Sequence, residues 1–159
     1  MLVQTKFIVP PVRRSLVARP RLTNKLDRAL GDSHRLVVVS APAGFGKTTM
    51  LSEWVARLPL KVAWLDLEED DNYPLRFFEY FCGSIKKACP AIDSNICQDL
   101  KDPDEIATRL VNTLAQIGER IVLVLDDYHF IRIKTIHTAV ASILDHLPVG
   151  VTVIISTRV

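Results

Sequence analysis

The sequence predicts an α/β fold in which a mainly parallel sheet lies between two layers of helices. Three observations favour it: short apolar runs recur along the chain, segments with helical periodicity separate them, and polar or glycine-rich turns follow several of the runs. Strands that alternate with helices pair in parallel, because each helix returns the chain to the end of the sheet from which it came. With 159 residues, of which 48% are hydrophobic, the chain is long enough for one domain with its own core.

The first half of the chain contains two predicted strands, each followed by a helix. The uninterrupted apolar run at 36–40 is typical of a strand that is buried on both faces. Pro59 ends the helix after it. We expect Asn72 to cap the next helix, which has Pro74 in its first turn and ends before Pro90. In chain order we expect a helix from Thr23 or Asn24 to Gly31, a strand Leu36–Ser40, a helix Lys47–Leu58 and a strand Val62–Leu67.

The second half repeats this alternation. Asp102, Pro103 and Glu105 form a helix-start signature, with a cap residue, a proline in the first turn and an acid three residues after the cap. Apolar residues then recur at the helical period until Gly118 ends the helix. The remaining elements are expected as a strand Ile121–Leu125, a helix from Ile136 to Leu147 that Pro148 ends, and a strand Val151–Ile155.

Composition excludes several classes of protein. The 20 Lys and Arg residues against 18 Asp and Glu give a formal charge of +2, which is too small to indicate nucleic-acid binding by this segment. No apolar run is long enough to span a bilayer, and no signal-peptide pattern is present. Cys82, Cys89 and Cys97 lack C-x-x-C spacing, which predicts reduced thiols rather than a disulfide framework or a zinc site. We therefore expect a cytoplasmic protein with no membrane partner.

Residues 40–49 read SAPAGFGKTT and directly follow the first apolar run. They match the phosphate-binding loop G-x-x-x-x-G-K-[ST], except that Ala41 takes the first glycine position, where a small residue suffices. A glycine-rich turn that happens to contain a lysine is the alternative, and the strand before the loop and the helix after it argue against that. The motif indicates a nucleoside triphosphate with Mg²⁺, and it narrows the fold to the three-layer P-loop NTPase sandwich.

Each residue type in this loop has a physical role. Gly44 and Gly46 let the backbone curl so that N–H groups converge on phosphate oxygens, at the positive end of the helix that begins near Lys47. Lys47 can reach the β- and γ-phosphates, and the Thr48 hydroxyl can join the Mg²⁺ shell. We expect the nucleotide contacts to come from Ala43, Gly44, Phe45, Gly46, Lys47, Thr48 and Thr49.

Polar residues also end the two later strands. Asp126 and Asp127 follow the apolar run IVLVL, at the end of a parallel strand where ligands bind. One carboxylate can hold Mg²⁺ and the next can orient or deprotonate an attacking water. Arg158 follows the last strand and can distinguish a triphosphate from a diphosphate. An acidic turn and a surface arginine are the plainer interpretations of these residues.

Five segments together carry a family resemblance: LVARPRL (16–22), SAPAGFGKTT (40–49), VAWLDLEEDDNYPLRFF (62–78), IVLVLDDYHFI (121–131) and VIISTR (153–158). They resemble the nucleotide-binding domain of the large, ATP-dependent, MalT-like LuxR-type transcription activators, a branch of the STAND class of signal-transduction ATPases. The WLDLEEDDN stretch narrows the resemblance beyond a generic P-loop ATPase. The resemblance covers nearly the whole chain.

The resemblance implies a role for each matching residue. By position it assigns phosphate and Mg²⁺ binding to Lys47 and Thr48, the Mg²⁺ acid to Asp126, the hydrolytic acid to Asp127 and the first sensor to Arg158. It places Val17 and Arg19 beside the adenine of ATP or ADP. It also places the strand that ends at Arg158 between the strands of the two Walker motifs.

The resemblance further implies how the chain is divided. Residues 1–30 form an N-terminal extension with the adenine-side segment, and residues 31–159 form a P-loop core that is truncated after its fourth strand. The fifth strand and a winged-helix segment are then missing, so Leu36–Ser40 lies at a sheet edge that favours self-association. We expect no direct DNA contact by this segment, since in the family a C-terminal helix-turn-helix, absent here, binds DNA.

Three functions agree with these residues. The first is an ATP/ADP-binding switch module of a signal-responsive transcriptional regulator, with slow hydrolysis that resets it. The second is a P-loop phosphotransferase acting on a small molecule, for which the sequence offers no acceptor site. The third is an interaction module with an inert nucleotide fold, against which Lys47, Asp126 and Asp127 argue together.

Overall fold

The sheet of this protein has four parallel strands in the spatial order first, fourth, third, second, as a computed structural model shows. The strands are β1 (Leu36–Ser40), β2 (Lys61–Asp66), β3 (Ile121–Asp126) and β4 (Val151–Thr157). The structure describes residues 1–12, 18–93, 95–99 and 101–159. β4 lies between β1 and β3, as the resemblance implied, and within the described residues β1 is an edge strand.

Helices cover both faces of the sheet, so the predicted three-layer α/β architecture is confirmed. They are α1 (Pro20–Gly31), α2 (Lys47–Ala56), α3 (Pro74–Ala88), α4 (Pro103–Ile117) and α5 (Lys134–Asp145). Along β3, Val122 and Val124 pack against α1 and α2, while Leu123 and Leu125 pack against α3, α4 and α5. This alternation follows from the pleat, which turns successive side chains to opposite faces. The two central strands β3 and β4 are buried along nearly their whole length.

Two helix ends match the sequence signals closely. The Asp102 side chain accepts a hydrogen bond from the backbone N–H of Asp104 at 3.0 Å, which caps α4 as predicted. Gly118 follows α4 with a φ of 64°, the left-handed conformation that glycine adopts without a Cβ clash.

Two other helix starts differ from the predictions. α1 begins at Pro20 instead of Thr23 or Asn24, because proline at the first helical position has its φ already set and has no N–H to satisfy. The residue that precedes α3 as its cap is Tyr73, so Asn72 does not cap this helix. The Asn72 side chain instead contacts the loop that precedes α5.

The expectation of three reduced thiols is wrong for one pair of cysteines. Cys82 on α3 and Cys97 in the segment before α4 form a disulfide, and Cys89 is free and buried. The two bonded residues are separated by 15 positions and approach only because the chain reverses after α3. Spacing along the sequence gave no sign of this contact. Among the described helices, none is both long and apolar enough to cross a membrane.

A buried ion pair ties the N-terminal segment to the loop after β2. The Lys6 side chain is 7% exposed, and its Nζ lies 2.6 Å from Oδ2 of Asp71, which is fully buried. The Glu68 backbone N–H donates to the same carboxylate oxygen at 2.9 Å. Two opposite charges out of water stabilise a fold only while both are present and hydrogen-bonded.

We expect Asp71→Ala to lower the free energy of unfolding by about 3 kcal/mol, because it leaves the buried Lys6 ammonium with only the exposed Glu68 carboxylate, at 3.2 Å, as its partner. Lys61→Ala is the matched control, since Lys61 forms an ion pair with Glu119 at 2.8 Å in which both side chains are more than 40% exposed. The Lys61→Ala substitution should lower the free energy of unfolding by less than about 1 kcal/mol. Urea denaturation measures both values, and equal losses would contradict the prediction.

Candidate functional site

The loop between β1 and α2 has the backbone shape of an anion-binding loop. Gly44 and Gly46 have φ values of 84° and 77°, a region that residues with a Cβ rarely enter. Gly46 is also the residue that precedes α2, whose first turn leaves backbone N–H groups without helical partners. Loop and helix end together favour a bound anion such as a phosphate.

Lys47 folds its side chain back over this loop. Its Nζ donates hydrogen bonds to the backbone carbonyl oxygens of Ala41 at 2.7 Å and of Pro42 at 3.2 Å. These are neutral acceptors, and a phosphate oxygen is a stronger partner for an ammonium group. The lysine is therefore held at the loop, within reach of an anion that the loop would bind.

A hydrogen bond joins this loop region to the end of β3. The Thr48 hydroxyl donates to Oδ2 of Asp126 at 2.8 Å, and the Ser156 hydroxyl at the end of β4 donates to Oδ1 of the same residue. Asp126 is only 2% exposed. Burial raises its pKa, while the bonds from Ser156 and Thr48 lower it. The end of the sheet thus brings together a hydroxyl and a buried carboxyl group that could share a cation.

Asp127 points differently from Asp126. Its φ is 60°, and its side chain is 32% exposed. Its backbone N–H donates to Oγ of Ser156 at 2.8 Å, and its Oδ1 lies 3.9 Å from Nδ1 of His129. The two adjacent acids therefore face separate surroundings, one the interior and the other the opening of the site.

The structure adds Asp66, which sequence reasoning missed. Asp66 ends β2 opposite Asp126 in the strand register. One carboxylate oxygen from each of Asp66, Asp126 and Asp127 lies within 4.8 Å of the others. Burial and then the charges of the other two acids raise the pKa of Asp66 to about 6. The sequence did contain a signal for Asp66. Asp126 was selected because it is an acid at the end of an apolar strand, and Asp66 is also an acid at the end of such a strand.

His129 is a second residue that the sequence did not single out. Within the described residues both of its ring nitrogens are buried without a hydrogen-bond partner. Burial lowers its pKa, the charge of Asp127 raises it, and the charges of Arg158 and Lys47 lower it. The first of these cations, Arg158, is exposed and lies just beyond the end of β4.

Of the two residues that the resemblance places beside the adenine, Val17 and Arg19, the structure describes only Arg19. Arg19 donates from Nη1 to the backbone carbonyl oxygen of Phe45 at 2.7 Å, so it contacts the phosphate-binding loop directly. Val17 lies outside the described residues. A groove of about 410 Å³ opens beside Arg19 between α1 and the edge strand, with Leu22, Val38 and Met50 in its lining. Of the remaining loop residues, Ala43 and Phe45 are exposed, and Thr49 lies in the first turn of α2.

Comparison with known families gives one match over most of the chain. The family described as AAA ATPase domain matches residues 15–155. This range includes the phosphate-binding loop and the acids that end β2 and β3.

Curated relatives are transcription regulators. The HTH-type transcriptional regulator MalT of Vibrio cholerae serotype O1 is 30% identical over 165 residues, and that of Klebsiella pneumoniae subsp. pneumoniae is 33% identical over 163. Each alignment covers 99% of this chain but 18% of the relative. The chain therefore spans less than a fifth of the length of these proteins.

Solved structures share the fold. Cdc6p from Pyrobaculum aerophilum has a TM-score of 0.63 at 18% identity, over 99% of this chain and 43% of its own. A signal transduction ATPase with numerous domains (STAND) and a tetratricopeptide repeat sensor, from Pyrococcus horikoshii, has a TM-score of 0.61 at 18% identity, over 95% of this chain and 22% of its own. At these identities the likeness shows the fold alone.

We expect Asp66→Asn to raise the free energy of unfolding of the metal-free chain by about 1 kcal/mol at pH 7.5. The pKa of Asp66 is about 6 in the folded chain against an ordinary value of 3.8. At a pH between these two pKa values, the Asp66 carboxyl group keeps a proton in the folded state that it has lost in the unfolded state. The free energy of unfolding therefore falls as the pH rises from about 4 to about 6, and it stays reduced at higher pH. Solvent on the exposed side of Asp66 screens the repulsion, which is why the expected gain is modest.

Urea denaturation with a chelator at pH 4.5 and at pH 7.5 tests this. The gain in the free energy of unfolding should be present in full at the higher pH and only about a third as large at the lower one. Asp70→Asn, which changes an exposed acid in the turn that follows β2, serves as the control and should change stability by less than about 0.5 kcal/mol. A gain of equal size at both pH values would contradict the prediction.

Proposed function

The chain belongs to the AAA ATPase domain family, and on that premise we propose that it is an ATP- and ADP-binding switch module of a signal-responsive transcriptional regulator. It is a MalT-like nucleotide-binding domain. The observation that carries the proposal is the hydrogen bond of 2.8 Å between Thr48 and Asp126, which joins the phosphate-binding loop to the acids. Slow ATP hydrolysis would reset the switch.

The phosphate groups would be bound by the loop and by Lys47. The positive φ values of Gly44 and Gly46 support close approach of the backbone to an anion. Lys47 would exchange its two carbonyl partners for oxygens of the β- and γ-phosphates, forming charge-assisted bonds that are roughly twice as strong as neutral ones.

The residues present fit a Mg²⁺ ion. Thr48 Oγ1 and Asp126 Oδ2 are hard oxygen donors in contact with one another, so both can face one small cation. When bound, Mg²⁺ neutralises negative charge on the β- and γ-phosphate oxygens. Ser156 would hold the second oxygen of Asp126 and keep the carboxylate oriented.

Hydrolysis would use the more exposed acid. Asp127 directly follows Asp126, the proposed Mg²⁺ ligand, but its side chain faces the opening of the site. This supports a role in orienting or deprotonating the attacking water. Arg158 would sense the γ-phosphate; its charge acts on His129 beside Asp127, which supports its proximity to the site. The adenine would occupy the groove beside Arg19, next to the loop that this residue contacts.

The relatives support the regulatory role. Those named above are transcriptional regulators, and a charge of +2 gives this segment little attraction for DNA. We therefore propose that the segment works in the cytoplasm and makes no direct DNA contact. Binding of ATP and ADP with and without Mg²⁺, together with analysis of the products, tests the proposal. A phosphorylated small molecule would favour a phosphotransferase, and absence of nucleotide binding would favour an inert interaction module.

We expect Lys47→Ala to weaken ATP binding by about 10- to 100-fold, because it removes a cation whose charge-assisted bonds are worth roughly 1.5 to 3 kcal/mol. Isothermal titration calorimetry at fixed Mg²⁺ measures the change. Lys61→Ala serves as the control, since Lys61 lies at the opposite end of the parallel sheet. Unchanged affinity in a folded Lys47→Ala chain would contradict the assignment.

The two adjacent acids are expected to give different phenotypes. Asp127→Asn should keep Mg²⁺-dependent ATP binding while lowering turnover about 100-fold, the size of a general-base contribution. Asp126→Asn should instead reduce the gain in affinity that Mg²⁺ provides. Nucleotide titrations with and without Mg²⁺, combined with single-turnover hydrolysis, separate the two effects. Equal loss of binding in both variants would rule out this division of roles.

A further inference from the structure

The WLDLEEDDN segment, Trp64–Asn72, narrows the family resemblance, yet nucleotide binding as proposed above does not use its last residue. We propose that Asn72 is a positioning residue for Asp127, because its side chain fixes the far end of the loop that carries this acid. The inference rests on the proposed function. It adds to the site a residue from the connection that follows β2, whereas Asp127 follows β3. In the sequence Asn72 precedes Asp127 by a whole strand and two helices.

The contact itself is a double hydrogen bond. Oδ1 of Asn72 accepts from the backbone N–H of Arg132 at 2.8 Å and from that of Ile133 at 3.1 Å. These two residues immediately precede α5, where backbone N–H groups lack partners within the helix. One side-chain oxygen thus satisfies two main-chain donors at the point where the loop enters the helix.

The other end of the same loop is also held. The backbone N–H of Asp127 donates to Oγ of Ser156 at 2.8 Å, so Ser156 holds the first residue of the loop and Asn72 holds the last ones. Ser156 at the same time binds the buried acid Asp126. The segment 127–133 therefore spans two fixed points, one on β4 and one on the connection that follows β2.

The loop needs such support because its conformation is unfavourable for an ordinary residue. Asp127 has a φ of 60°, a left-handed conformation that persists only where the surroundings hold it. Within the loop, Phe130 donates from its backbone N–H to the carbonyl oxygen of Asp127 at 3.2 Å. If the end at Ile133 were released, this short turn could relax and the Asp127 carboxylate would move relative to the site.

Asn72 is well placed to act as a fixed point. Its neighbour Asp71 is fully buried and accepts hydrogen bonds from Nζ of Lys6 at 2.6 Å and from Nε of Arg76 at 3.1 Å. Side chains that position a site work best when their own backbone is held by packing and hydrogen bonds. The buried ion pair of the N-terminal segment therefore supports Asn72, and Asn72 supports the loop of Asp127.

A set of substitutions at Asn72 tests the role. Asn72→Ala removes the acceptor and should lower single-turnover ATP hydrolysis at least about tenfold, since small displacements of a catalytic group are costly. It should leave the ATP dissociation constant within about twofold. Asn72→Asp keeps a carboxylate oxygen for both N–H groups and should restore most of the rate. Asn112→Ala, an exposed asparagine on α4, is the matched control.

Hydrogen exchange supplies a second readout that does not depend on activity. The amide protons of Arg132 and Ile133 should exchange faster in Asn72→Ala and keep their protection in Asn72→Asp. If Asn72→Ala does not fold, Asn72→Gln keeps the amide but moves its oxygen by one methylene, and it should show the same loss of rate.

The outcomes separate this inference from the function on which it rests. A wild-type chain that hydrolyses no ATP would overturn the proposed function. Wild-type hydrolysis that Asn72→Ala or Asn72→Gln leaves unchanged would overturn the positioning role alone. A loss of ATP affinity as large as the loss of rate would also overturn it, because Asn72 would then support binding instead of Asp127.

Discussion

Parallel pairing of all the strands is the constraint on which the candidate site depends. Because every strand runs in the same direction, each one delivers its last residue to the same edge of the sheet. Ser40, Asp66, Asp126 and Thr157 are the last residues of the four strands. No single strand contains the site. The phosphate-binding loop, the acids and the last hydroxyl residues come together only through the register.

The central position of β4 in the sheet brings its last residues close to both the phosphate-binding loop and the acids. It lies between β1 and β3, so a residue at its end can contact both the phosphate-binding loop and the acids. Ser156 uses this place to bind the Asp126 carboxylate and the backbone of Asp127. Carboxylates packed this closely repel one another, and this repulsion adds to the effect of burial, which is the larger cause of the raised pKa of Asp66. A bound cation would relieve this repulsion, so the same acids that destabilise the metal-free chain would favour metal binding.

Support for the site extends well beyond the residues that would touch a nucleotide. The 3-10 turn Gln4–Phe7 carries Lys6 to the loop after β2, and that loop in turn contacts the segment between β3 and α5. Binding sites built on such rigid connections keep their geometry when the ligand leaves. If the chain is the ATP/ADP switch proposed above, a preformed site would let it distinguish the two nucleotides by the γ-phosphate alone.

The sequence by itself determined the fold class and the order of the elements. Apolar runs, helical periodicity and proline or glycine at element ends are local signals, and they placed every strand to within two residues at each end. The glycine-rich loop with Lys47 and Thr48 was equally local, because its function depends on consecutive residues. Asp126 could be selected since it ends a strongly apolar strand.

Only the tertiary structure decided which distant residues meet. Asp66 joins the two acids because strand register, which no local pattern encodes, places it opposite Asp126. Asn72 was predicted to cap its own helix from a local motif, yet its side chain binds the main chain some sixty residues later. Cys82 and Cys97 likewise meet through a reversal of the chain. Local sequence specifies backbone conformation, whereas these contacts arise from how the finished elements pack, and so they appear only in the folded chain.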